Sequence, residues 1–243
     1  AREELINLLK ENAFTKPVFI RVNDAMEAIG REDIDAISPY QDQIEAIILP
    51  KTQSFDFLAT LAPMIDFSNK LVPLIETPRA IDTVTQIAAF KDVVGLFFGA
   101  ADSSASLGCK LAWEPLLYAR QKVVLAAAMY NLFTIDAPFF YMDDKEGLKK
   151  EAEAVKNLGF TGKAAIHPDQ IDFINESFAP TSEEIAEGKK VLEEYQKSGG
   201  GAVKIDGQMV DEPIAEAMRL KISLGEEENL SLIHISEPTR PLT

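Results

Sequence analysis

Residues 71–80 read Leu-Val-Pro-Leu-Ile-Glu-Thr-Pro-Arg-Ala: an unbroken apolar run, a single carboxylate, then the start of a helical pattern at Pro78. A run without apolar/polar alternation suits a strand buried on both faces, as in a parallel sheet. The arrangement recurs at Pro17–Val22, Ala46–Pro50, Val93–Phe98, Leu132–Ile135 and Ala164–Ile166. Helical stretches such as Pro78–Lys91 and Ala112–Tyr130 lie between them. The repeat of roughly 20–40 residues is about that of one βα unit.

Polar residues stand at the end of each run or just after it: Arg21 and Asn23, Lys51, Glu76, Asp102, Asp136 and His167. Carboxyl ends of successive parallel strands gather on one face of a (β/α)₈ barrel, where such barrels place their chemistry. The fold expected is therefore α/β, a (β/α)₈ barrel. Only six strands are visible, so the barrel is expected to be incomplete, lacking two βα units. An open doubly wound sheet would carry a Gly-rich phosphate loop after its first strand, and this sequence has none.

The 243 residues carry 24 Lys and Arg against 39 Asp and Glu, a net charge of −15. Such a surface repels phosphate backbones and argues against general nucleic-acid binding. A small anion can bind only where local cations or a metal reverse the field. Cys109 is the only cysteine, so no intrachain disulfide forms, and a reducing, cytoplasmic setting is expected. No run approaches the ~18 apolar residues of a membrane-spanning helix, so no membrane partner is expected. The opening AREELINLLK reads as the body of a helix without its cap, which suggests a missing N-terminus.

Beyond Gln170 the pattern changes. A Thr181-x-x-Glu184 start predicts a helix to about Lys197, and Gly199–Gly201 predict a flexible hinge leading to a mobile extension. The expected organisation is a partial barrel with its C-terminal helix over 1–197 and a hinge and lid segment over 198–229. Residues 230–243 (LSLIHISEPTRPLT) match a translated sequencing-library adaptor and are set aside as non-native, His234 included.

Glu76 and Asp102 follow neighbouring strands, so both carboxylates can reach one point. Two carboxylates plus waters and substrate oxygens suit Mg²⁺, which demands octahedral oxygen ligation; alternatively, each caps the helix that follows it. Arg21 lies within a strand, where a charge needs a partner. It offers either bidentate recognition of a carboxylate or carbonyl or a structural ion pair. Lys51 is an anion contact or a strand-end surface lysine. His167 is a base or a hydrogen-bonded structural residue, and Cys109 reads as a buried thiol.

Several stretches, in order, resemble one family. They are FIRVND (19–24), ILPKTQS (48–54), PLIETPRA (73–80), FFGAADSSASLG (97–108), EPLLYAR (114–120), IDAPF (135–139) with MDDKEGL (142–148), GFTGKAAIHPDQIDFINESFAPT (159–181) and GGGAVKIDGQMVDEP (199–213). Together they are similar to the citrate lyase β-subunit-like branch of the HpcH/HpaI aldolase/citrate lyase superfamily. Each piece alone is a weak signal; their order is specific.

The resemblance implies a (β/α)₈ barrel, assembled as a homotrimer or hexamer, with Mg²⁺ at its top. It places Glu76 and Asp102 as metal ligands and Arg21 as the substrate-binding arginine; Arg21 is also expected to act in catalysis, and Glu76 and Lys51 are expected among the substrate contacts. Asp211 falls on a lid aspartate that reaches a neighbouring subunit's site, where it is the candidate acid/base group. The implied reaction is Mg²⁺-dependent carbon–carbon cleavage of a 3-hydroxyacyl-CoA thioester (citryl-, malyl- or citramalyl-CoA) to an acyl-CoA and a keto acid. Cleavage leaves an enolate on the thioester fragment, which needs cationic stabilisation.

Two departures stand out: Ser103 and Ser106 replace a leucine and an aspartate of the family pattern, and the first two βα units are absent. With those units missing, the chain alone is expected to be inactive. A pyruvate aldolase acting without CoA and a partner-dependent noncatalytic binding subunit stay open as alternatives. The direction of the reaction also stays open.

Overall fold

A computed structural model of the protein describes residues 2–65, 67, 70–205, 207–219, 222 and 223. It divides into two compact units, cut between Ile174 and Asn175.

The first unit is built on six parallel strands paired in chain order: β1 (Phe19–Arg21), β2 (Ala46–Leu49), β3 (Leu71–Ile75), β4 (Gly95–Phe98), β5 (Phe133–Asp136) and β6 (Gly162–Lys163). β1 and β6 hold the two edges. Helices α1 (Arg2–Lys10) and α2 (Ala28–Ile37) flank β1 along the chain, and α3 (Phe55–Leu61) follows β2. α4 (Pro78–Asp82) and α5 (Val84–Ala88) follow β3, α6 (Ala100–Leu107) and α7 (Trp113–Met129) follow β4, and α8 (Lys145–Leu158) follows β5. Parallel neighbours in chain order bring every strand's carboxyl end to the same edge of the sheet, so residues just beyond the strands become neighbours in space.

Every residue of β2 and β3 is buried, which is why these strands lack alternation. Ala46, Ile48, Val72 and Leu74 form one cluster on the sheet, with Val94, Phe97 and Phe133 packed against it. Burying each large apolar side chain there contributes about 1.5–3 kcal/mol.

Two expectations are corrected. The sixth strand is Gly162–Lys163, not Ala164–Ile166. Thr161 and Thr134 exchange hydrogen bonds of 2.8–3.1 Å at its start, and Lys163 is drawn inward by Asp136 at 2.8 Å. The chain then leaves the sheet, with Ile166 half exposed. The helix expected over Pro78–Lys91 breaks at Thr83 (φ −98°, ψ 13°), whose hydroxyl lies 3.1 Å from the Gln53 carbonyl and 2.9 Å from the Arg79 carbonyl. A hydroxyl that bonds the backbone competes with helix continuation.

α9 (Ile171–Phe178) spans the cut between the units. In the second unit, α10 (Ser182–Lys197) opens with the anticipated capping box between Thr181 and Glu184. An antiparallel hairpin follows, β7 (Val203–Ile205) with β8 (Gln208–Val210), and then residues 212–219 are helical. Tyr195 of α10 is buried with Ile205, Val210 and Ala215, so helix and hairpin share one core. The cut at 174/175 thus lies ahead of the 197/198 boundary drawn from the glycine run. Gly199 (φ 80°) and Gly200 (φ 78°) take left-handed backbone open to glycine without strain. Residues 206, 220, 221 and 224–229 of the expected lid segment and the adaptor-like tail 230–243, with His234, lie outside the described residues.

Candidate functional site

The site assembles from the residues that leave β1 to β4. Lys51, just past β2, adopts a left-handed backbone (φ 55°), which is uncommon and strained for a residue with a side chain. Its backbone N–H donates to Glu76 Oε1 at 2.7 Å. Glu76 is the first residue beyond β3 and is 5% exposed. Gly99, the first residue beyond β4, donates its N–H to the Ile75 carbonyl at 2.9 Å. A Cβ on Gly99 would stand 2.6 Å from Glu76 Cβ and 3.1 Å from its Oε2, so only glycine leaves room for this carboxylate.

Asp102, exposed in the first turn of α6, brings its carboxyl within hydrogen-bond reach of Glu76. Arg21 ends β1 and is near enough to act on the charge of Glu76. Burial pushes the Glu76 carboxyl above its ordinary range. The Lys51 N–H opposes that rise, Asp102 reinforces it by charge and hydrogen bonding, and Arg21 lowers it. A partly desolvated carboxyl pair of like charge is relieved by a cation between them.

The helix-capping alternative does not hold. Thr77, not Glu76, caps α4 through its side chain, and Asp102 lies within α6 beyond the N-cap, Gly99. Nor does Arg21 make an ion pair among the described residues; it is exposed, with Glu76 near enough to feel its charge. The residues therefore fit a divalent ion with two protein oxygens. No group of three His, Cys, Asp or Glu that could hold a metal occurs among the described residues. That leaves most of the coordination to water or substrate, as Mg²⁺ prefers.

Lys51 contributes a backbone contact that its residue type does not announce, while its side chain is exposed. His167 is exposed, and its Nδ1 accepts from the Asp169 N–H at 3.2 Å, a capping role. Cys109 is half-buried rather than buried. Ser103 is fully buried and its Oγ has no hydrogen-bond partner among the described residues, whereas Ser106 is exposed. Asp211 belongs to the second unit, where its carbonyl accepts from the Ala215 N–H at 2.9 Å and so opens the 212–219 helix.

One buried cluster escaped the reading of motifs. Asp136, at the end of β5, takes Arg120 Nε on one oxygen and Lys163 Nζ on the other, each at 2.8 Å. Lys163 also donates to the Ala137 carbonyl and to Glu151 Oε1, both at 2.7 Å. Arg120 lies in EPLLYAR and Lys163 in GFTGKAAI, and only the fold brings both to Asp136.

Known proteins bear on this arrangement. Residues 1–168 match the model of the HpcH/HpaI aldolase/citrate lyase family. The chain is 29% identical over 235 residues to the citrate lyase subunit beta of Haemophilus influenzae, covering 88% of this chain and 80% of that protein. It is 30% identical over 230 residues to human mitochondrial citramalyl-CoA lyase, covering 84% and 67%. Among solved structures, RipC from Yersinia pestis aligns at 39% identity with a TM-score of 0.67, over 76% of this chain and 83% of that one. CitE from Mycobacterium tuberculosis, in complex with magnesium, acetoacetate and coenzyme A, aligns at 28% identity with a TM-score of 0.78, over 93% and 83%. With the family pattern running through all six parallel strands and the Glu76–Asp102 pair, this chain belongs to the HpcH/HpaI aldolase/citrate lyase family.

Proposed function

We propose that this chain is the core of a Mg²⁺-dependent carbon–carbon lyase that cleaves a 3-hydroxyacyl-CoA thioester of the citryl-, malyl- or citramalyl-CoA type. The products are an acyl-CoA and a keto acid. The observation that carries the reading is the carboxyl pair of Glu76, just past β3, and Asp102, in the first turn of α6 after β4, within hydrogen-bond reach and flanked by Arg21. The citrate lyase and citramalyl-CoA lyase relatives support the reaction class, and the magnesium and coenzyme A in the CitE complex support the cofactor and the thioester.

Glu76 and Asp102 would hold Mg²⁺, which when bound supplies Lewis-acid polarisation of the keto-acid oxygens. Arg21 binds the same fragment through its planar fork of N–H donors, with Lys51 as a second cationic contact. The Lys51 N–H and the bare Cα of Gly99 hold Glu76 in one place. In the cleavage direction a base takes the hydroxyl proton, the C–O bond becomes a carbonyl, and the electron pair of the breaking C–C bond passes to the thioester fragment. Protonation of that carbanion completes the acyl-CoA. Asp211 is the proposed proton carrier, reaching the site of a neighbouring subunit in a homotrimer or hexamer, with 198–229 as its lid.

Six parallel strands in chain order support reading the first unit as a (β/α)₈ barrel short of two βα units. Among the described residues, no helix is long and apolar enough to cross a membrane. The test is turnover of citramalyl-, malyl- and citryl-CoA by the full-length protein, with and without Mg²⁺. Cleavage that needs Mg²⁺ sustains the reading; metal-independent turnover, or none with any thioester, overturns it.

A further inference from the structure

Tyr195, near the end of α10, is 3% exposed, and its ring is buried with Ile205, Val210 and Ala215. A buried tyrosine hydroxyl needs a partner, and this one faces two oxygens, the Gly200 carbonyl at 2.7 Å and Glu212 Oε2 at 3.0 Å. Both are acceptors, so its single proton is shared between them. Glu212 is pinned from the other side as well, since Arg219 Nη1 donates to its Oε1 at 2.7 Å. The hydroxyl thus joins α10 to the glycine run before the hairpin and to the residue two beyond it.

The glycine run is held at other atoms too. The Gly199 N–H donates to the Gln196 carbonyl at 3.1 Å, and the Gly200 N–H donates to the Tyr195 carbonyl at 3.4 Å. Ser198 Oγ donates to that same carbonyl at 2.7 Å. Gly200 is therefore bound to Tyr195 through both its N–H and its C=O. By composition three consecutive glycines are a hinge; these bonds make them a turn closed on α10.

Asp211 stands between two anchored neighbours. Val210 is buried in the core that Tyr195 shares, and Glu212 takes the Tyr195 hydroxyl. The Asp211 carbonyl is engaged as well, by the Ala215 N–H at 2.9 Å. Its backbone is fixed from three directions, yet its half-buried carboxylate makes no hydrogen bond or ion pair among the described residues. The carboxylate lies near enough for its charge to act on the Tyr195 hydroxyl. A carboxylate held in place, with its acceptor capacity uncommitted, is arranged as an acid/base group must be.

We propose that Tyr195 is a positioning residue for Asp211. Its hydroxyl locks the glycine turn and Glu212 onto α10, so that α10, the hairpin and residues 211–219 carry the aspartate as one rigid body. The role given to Asp211 rests on the lyase reading; the rigid body does not. Proton transfer needs donor and acceptor within hydrogen-bond reach. A freely swinging glycine linker would hold the carboxylate there for only a small part of the time, and the Tyr195 hydroxyl removes that freedom.

Hydrogen exchange and steady-state kinetics of the full-length protein test this together. In the wild type the Gly199 and Gly200 amides should exchange at least tenfold more slowly than those of an unstructured chain. Tyr195→Phe, which keeps the ring in its core, should raise exchange across residues 199–213 at least tenfold and leave residues 2–174 unchanged. The same variant should lower kcat at least tenfold with KM and Mg²⁺ affinity nearly unchanged, a split that general loss of structure would not give. Glu212→Ala, at an exposed side chain, should lower kcat likewise while Gly199 and Gly200 stay protected. Unstructured-chain exchange at the wild-type glycines, or wild-type exchange and kcat in Tyr195→Phe, overturns the positioning role. So does a loss of kcat with unaltered exchange. A protein inactive on every thioester, whose glycines are protected through Tyr195, loses only the lyase reading; an active lyase with unprotected glycines loses only this one.

Discussion

Gly99 and Glu76 are packed so closely that a Cβ on Gly99 would lie 2.6 Å from Glu76 Cβ, well inside van der Waals contact. Gly99→Ala must displace Glu76 or the β4–α6 connection. Such overpacking costs about 1–3 kcal/mol. The expected outcome is a lowered Tm together with Mg²⁺ affinity weakened at least tenfold, read by calorimetry; unchanged Mg²⁺ binding would show that Glu76 is not a ligand.

Glu76→Ala or Asp102→Ala in the full-length enzyme should abolish Mg²⁺-dependent turnover while circular dichroism stays that of the wild type. Glu76→Gln removes the buried charge that Asp102 repels. The metal-free Gln variant should therefore be at least as stable as wild type, yet lose the Tm increase that excess Mg²⁺ confers, since a ligand stabilises only the state that binds it. A full Mg²⁺-induced Tm shift in the variant would count against the pair as the metal site.

Asp211→Ala or Asp211→Asn in the full oligomer should lower turnover by ~10²–10⁴-fold, the range for losing a general acid or base. Mg²⁺ affinity should hardly change, because the aspartate belongs to the second unit and not to the carboxyl pair. Steady-state kinetics with Mg²⁺ titration check both halves; near-normal turnover would leave the proton carrier to another residue.

A pH prediction follows from Asp33 on α2. Partial burial raises its carboxyl, but the backbone and side chain of Asn23, at 3.0 and 2.7 Å, and Arg2 Nε, at 2.7 Å, together hold it below its ordinary 3.8. A depressed carboxylate contributes stability that is present above its unfolded value and lost as pH falls through the folded one. The contacts tying α1 to α2 should therefore survive down to about pH 3.8 and weaken below it. Hydrogen exchange along residues 2–10 between pH 5 and pH 3 would reveal the change; constant protection would show that α1 docks without this pair.

How much of this was readable in advance differs from element to element. Leu71–Ile75 was bounded to the residue, because a strand buried on both faces leaves an apolar run that ends where its first polar side chain turns toward the site. The apolar pattern points to a sixth strand two residues beyond the observed one. Ala164–Ile166 is more apolar than Gly162–Lys163, yet Lys163 is buried because Asp136 and Glu151 meet its ammonium. Glu76, Asp102 and Arg21 stood out as polar residues at strand ends, and the sheet order brings them together.

The sequence by itself determined the βα alternation, the family and the side chains that carry the proposed chemistry, because buried strands and strand-end carboxylates leave local patterns. Only the tertiary structure decided what holds those side chains. The Lys51 N–H on Glu76 depends on a left-handed backbone, the room for Glu76 on a side chain that Gly99 lacks, and the burial of Arg120 on Asp136, sixteen residues away. A backbone N–H, an absent Cβ and a long-range charge pair have no local signature, since each acts between segments that only folding brings into contact.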